Sequence, residues 1–132
     1  RRALALGIEI HLPRYQPRST LPLAACLWAG ERGSLRPFRH ALYEALFCEG
    51  EDLATDAELT RAALRAGLDP DEALEAAYAP ERIARLDEIR RLADEAGVRG
   101  VPTLVSADGA THWGTGGVER LLAGQPLVPR QV

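Results

Sequence analysis

The chain has 132 residues, 46% of them hydrophobic and 27% charged, with a formal net charge of -3. That is about one domain's worth of residues, apolar enough to offset its chain entropy, which argues against a disordered protein. The basic residues are all arginine and lie scattered among acids, so no nucleic-acid footprint stands out, and no apolar run approaches the about 18 to 20 residues needed to cross a bilayer.

The first periodic segment is LALGIEIHL, Leu4 to Leu12, in which Ile8, Ile10 and Leu12 alternate with Glu9 and His11. This period of two predicts a half-buried strand over 7–12. Pro13, Pro17 and Pro22 bound a loop, and Ser19 or Thr20 is placed to cap a helix carrying Leu23, Ala24, Leu27 and Trp28 that stops near Gly30 to Gly33. Ser34 is the N-cap expected for a second helix, with Pro37 in its first turn, where a missing N–H does no harm. Phe38, Leu42 and Leu46 mark one of its faces and Tyr43 and Phe47 another, which predicts a largely buried helix.

Thr55 and Glu58 form a capping-box pattern ahead of Leu59, Ala62, Ala63 and Ala66, and Gly67 is suited to a left-handed cap. Asp69-Pro70 opens a short helix by the same logic. Pro80 restarts the chain into a longer one, whose Ile83, Leu86, Ile89 and Ala93 keep one apolar stripe until Gly97. Glu81 with Arg85 and Asp87 with Arg91 are favourable i, i+4 pairs on its wet side. Pro102 to Ser106 then reads as a strand, Asp108-Gly109 as a tight turn and Ala110 to Trp113 as the antiparallel return. Thr115 is a candidate cap for a last helix through Val118, Leu121 and Leu122, ended by Gly124 and Pro126.

Little in this sequence carries chemistry by itself. Cys26 and Cys48 form no C-x-x-C pair, and buried packing is the plainer reading of both. His11, His40 and His112 share no spacing with them that would converge about four ligands on a metal. Ser106 and Thr103 lack a histidine partner in sequence reach, so no serine-hydrolase argument can be built. Trp28, Phe38, Tyr43 and Phe47 are accounted for as core by their helical spacing.

The informative stretch is Gly97-Val98-Arg99-Gly100-Val101-Pro102-Thr103, where a helix ends on glycine and a proline opens a strand. It resembles the G-V-x-G-V-P-T stretch of the DsbA family of thioredoxin-like proteins, in which that proline is cis. The resemblance extends over nearly the whole chain, through the long helix, the hairpin and the Trp113-Gly114 turn. Its spacing is most similar to the branch of 2-hydroxychromene-2-carboxylate isomerases and kappa-class glutathione transferases, whose helix before an acidic turn is resembled by Phe38 to Asp52. Gly116-Gly117 depart from this branch, which tends to have Asp-Arg there to help hold glutathione.

The resemblance implies an α/β, thioredoxin-like fold with a helical insertion: strand, helical block, β-hairpin and C-terminal helix in one partial domain over 1–132, with 20–80 as the insertion. The family's first β-α unit, which carries the nucleophilic Cys or Ser, has no counterpart here, so the fold is expected to be incomplete at its N-terminus and no catalytic residue is assigned to this chain. What remains is a substrate-binding platform of Val101, Pro102, Thr103 and Trp113, with Val101-Pro102 cis, although for Trp113 packing under the last helix is the plainer alternative to walling a substrate pocket. The implied activity is thiol-disulfide exchange or glutathione-dependent isomerisation on a small thiol or peptide substrate. From another class, the alternative is a non-catalytic binding or assembly module that keeps the platform. No metal and no resident cofactor are expected, glutathione being the one ligand the branch suggests. Neither nucleic acid nor membrane is an expected partner. A cytoplasmic location and association with another chain, which would cover an open sheet edge, complete the expectations.

Overall fold

The computed structural model describes residues 18–107, 109 and 111–125, together with Gly7 and Ile10. The strand expected over 7–12 therefore lies largely outside the described residues. The chain divides into two compact units, one ending at Leu86 and the other beginning at Asp87.

The first unit is helical. It contains α1 (Thr20–Glu31), α2 (Leu35–Glu44) continued by a π-helical turn (Ala45–Glu49), α3 (Asp56–Arg65), α4 (Pro70–Tyr78) and the start of α5 (Pro80–Glu95). Local chemistry sets most of these boundaries. Thr55 accepts a hydrogen bond from the Glu58 amide at the start of α3, and Asp69 accepts from the amides of Asp71 and Glu72 at the start of α4. Each cap satisfies amides that the first helical turn leaves without partners. Ser19 and Ser34 hold the N-cap positions of α1 and α2, but neither side chain makes a capping bond.

α1 packs on α2 and α4, and α3 on the same two helices. Alanines fill many of these contacts: Ala25, Ala29, Ala41, Ala62, Ala63, Ala73 and Ala77 are all buried, which lets the helix axes approach closely. Phe38 and Leu59 are the largest fully buried side chains, each contributing about 1.5–3 kcal/mol of burial free energy. The Trp28 ring meets Phe38 edge-on at 6.2 Å, and the Arg32 guanidinium lies 4.6 Å over Trp28. Arg82 grips Glu31 through two parallel hydrogen bonds of 2.7 and 2.9 Å, tying the start of α5 to the end of α1.

Two expectations need correction. α2 is not buried around most of its circumference: Phe38, Leu42 and Leu46 enter the core, while Tyr43 is 53% exposed and Phe47 half-buried. Tyr43 is therefore not a core aromatic. On α5 the stripe of Ile83, Leu86, Ile89 and Ala93 buries no residue fully, and Ile89 is exposed. In place of the expected Asp87–Arg91 pair, Asp87 meets Arg90 at 2.7 Å and Arg91 pairs with Glu95.

In the second unit, β1 (Thr103–Val105) and β2 (Thr111–Trp113) pair antiparallel, with Thr103 opposite Trp113, Leu104 opposite His112 and Val105 opposite Thr111. α6 (Thr115–Leu122) packs against both strands. Its N-cap is Gly114, at φ 97°, and not Thr115, which is its first helical residue. The left-handed backbone there turns β2 sharply into the helix, a conformation that glycine takes without penalty.

Candidate functional site

The four residues expected to form a platform do come together, at one end of the hairpin. Val101 and Pro102 lead into β1 through a cis peptide bond, and Thr103 sits directly opposite Trp113 across the ladder. Three contacts fix this end. The Gly114 amide donates to the Pro102 carbonyl at 2.8 Å, the Thr103 hydroxyl donates to the Gly100 carbonyl, and the Trp113 indole covers Gly100. A Cβ built on Gly100 would lie 2.7 Å from Trp113 Nε1, so the approach is open only to glycine.

Side-chain alternation separates the two faces of the hairpin. Leu104 and His112 face α6, where a Cβ on Gly117 would meet His112 Cδ2 at 2.5 Å and Leu104 Cδ1 at 3.0 Å. Thr103 and Trp113 lie on the other face. Trp113 is half exposed and Val101 is 88% exposed. The backbone of Val101 makes no backbone hydrogen bond among the described residues, so it offers a donor and an acceptor beside an aromatic wall. Such an edge can take an extended chain by strand-like pairing.

The cysteines are not part of this arrangement. Cys26 sits within α1, where burial pushes its thiol up to about 11 and the nearby positive charge of Arg39 opposes that only in part. Few thiolates form at neutral pH under that condition, and the thiolate is the reactive species. Cys48, expected to be buried packing, is instead exposed on the π-helical turn, and neither cysteine is in a disulfide. Among the described residues no cluster of three or more His, Cys, Asp or Glu side chains could hold a metal ion, and no helix is long and apolar enough to cross a membrane.

Sequence reasoning missed the residues that shape the platform from behind. Gly100 and Gly117 have no left-handed φ; they are glycine because an aromatic ring lies against each. His112, considered only as a metal ligand, instead fills the space between β2 and α6. The alternation of β2 puts His112 and Trp113 on opposite faces, a signal already present in the short strand.

A family model for the DSBA-like thioredoxin domain matches residues 1–123. Among solved structures, a 2-hydroxychromene-2-carboxylate isomerase is similar with a TM-score of 0.80 at 20% sequence identity, over 92% of this chain and 59% of that one. At that identity the likeness is one of fold, and the chain spans 59% of that protein's length. No curated protein matches the sequence.

Proposed function

The chain belongs to the DsbA-like thioredoxin family, and on that premise we propose that the Val101–Trp113 surface binds the extended part of a thiol substrate for thiol-disulfide exchange or glutathione-dependent isomerisation. One observation carries this reading: the backbone of the highly exposed Val101, without a backbone hydrogen bond among the described residues, follows Gly100 under the Trp113 indole on a hydrogen-bonded loop. In the proposed complex the Val101 amide and carbonyl pair with the substrate backbone, and Trp113 walls the side chain that follows. Pro102 and Thr103 hold that backbone in place. The Thr103 hydroxyl already donates within the loop, so its role is positioning. Neither Cys26 nor Cys48 is the attacking sulfur in this reading.

A second reading is a binding or assembly module that uses the same surface without chemistry. It is favoured by the state of Cys26, whose burial disfavours the thiolate, and by the place of Cys48 at the end of a helix, away from the N-terminal position that activates a thiol.

Amide NMR during titration with glutathione, with a blocked cysteine-containing hexapeptide and with its serine counterpart tests both. The first reading expects saturable shifts at Val101, Thr103 and the Trp113 indole, stronger for the thiol ligands. Equal response to the serine peptide would favour the module. An absence of saturation by about 1 mM, where binding is worth only about 4 kcal/mol, would sink both.

A further inference from the structure

The outward face of α2 repeats a pattern that the thiol-binding proposal does not use. Arg36, Arg39, His40 and Tyr43 follow one another at i, i+3, i+4 and i+7, the spacing of a single helix face. With Pro37 they line a groove of about 380 Å³. The Tyr43 ring continues into Phe47 on the π-helical turn, with centroids 6.0 Å apart. The opposite face, through Phe38, Ala41, Leu42 and Ala45, is buried in the core, so this stripe is fixed facing outward.

Two features of its charges matter. Arg32, Arg61, Arg65 and Arg82 each meet a carboxylate, whereas Arg36 and Arg39 meet none among the described residues. The first turns of α3 and α4 carry Asp56 and Glu58, and Asp71 and Glu72, which suit the positive end of a helix. The first turn of α2 carries Arg36 and no acid. That arrangement opposes the helix dipole, and in a chain of net charge -3 it leaves Arg36 and Arg39 as a local positive pair that no carboxylate among the described residues neutralises. Glu44, one turn on from His40, pairs with it at 3.4 Å.

From the charge complementarity we infer that this face docks a carboxylate-rich segment of a partner protein. The described walls of the groove all come from one helix, so it lacks the enclosure that small ligands need. Tyr and Arg are the side chains over-represented where protein surfaces bind tightly. A guanidinium fork matches a carboxylate in two parallel hydrogen bonds. Carboxylates at alternate positions of an extended segment lie about 7 Å apart, close to the about 5–6 Å spacing of neighbours on a helix face.

The probe is a blocked hexapeptide with glutamate at alternate positions, followed by amide NMR on the full chain, with the glutamine counterpart as control. Shifts are expected along Arg36 to Phe47 with the glutamate peptide only. They should fade between about 0.01 and about 0.15 M salt, as the screening length falls from about 30 to about 8 Å. R36E/R39E should weaken binding about tenfold or more, and the matching lysine peptide should then bind that variant. Both positions are exposed, and R36Q/R39Q gives the same reading if charge reversal disturbs folding. Equal shifts from the glutamine peptide, unchanged affinity in these variants, or tighter binding of oligothymidylate at the same face would overturn the inference.

Discussion

At Gly117 and Gly100 the second unit is specified by what is absent from a side chain. Alanine at Gly117 would normally favour α6, since glycine within a helix costs about 1 kcal/mol relative to alanine. Here the added methyl must enter a space where His112 Cδ2 lies 2.5 Å and Leu104 Cδ1 3.0 Å away. The imidazole is a rigid ring on a strand and cannot swing clear as the tip of a long chain could. Overpacking of this kind costs about 1–3 kcal/mol, so Gly117→Ala is expected to lower stability in urea unfolding despite the gain in propensity. His112→Ala in the same background should recover most of the loss. A stabilised single variant would contradict the packing. The sequence shows a glycine pair in the first turn of the last helix, but close approach between β2 and α6 is a tertiary fact, and no local pattern encodes it.

Among the elements, α3 shows what local chemistry could and could not announce. Its start at Thr55 and its end before Gly67 were legible, because caps act within a few residues of chain. The burial of Glu58 was not. This carboxylate is 5% exposed, and desolvation raises its pKa above the ordinary range, opposed by Arg61 at 3.0 Å and reinforced by Glu51 and Glu49. A group whose folded-state pKa is raised binds its proton more tightly in the folded chain. Its stabilising contribution is complete below the unfolded value, about 4.3 for glutamate, and is lost as pH rises through the folded value. Glu58→Gln removes that loss. The melting temperature of the variant relative to the parent should therefore increase from about pH 4 towards neutrality. The opposite trend would mean that the Arg61 pair outweighs desolvation. α2 gives the complementary lesson: its apolar positions correctly marked Phe38 and Leu42 as core, yet the π-helical continuation and the outward Tyr43 depend on how the helix meets its neighbours.

For the whole molecule, proline and glycine punctuation and the Val-Pro-Thr stretch were enough to reach the thioredoxin-like DsbA fold and the grouping of Val101, Pro102, Thr103 and Trp113, since these signals are local in the chain. Burial is distributed in a way that periodicity could not reveal. The α5 stripe reads like a core face but encloses nothing fully, and the buried apolar side chains gather in the helical unit, from Ala24 to Ala77. In the second unit Gly117 is the one fully buried residue among those described, and each strand of its hairpin has three residues. Local opening free energies follow buried apolar contact and shielded backbone hydrogen bonds. Amides of Trp28, Phe38, Leu59 and Ala63 should therefore exchange only through the largest openings, while those of Leu104 and His112 exchange through smaller ones. A difference of about 1.4 kcal/mol corresponds to tenfold in rate, and at least that is expected under conditions where exchange reports opening equilibria. Native-state hydrogen exchange measured by NMR resolves the two sets directly. Equal protection of the hairpin and the helical core would mean that the units open as one, against the distribution of burial seen here.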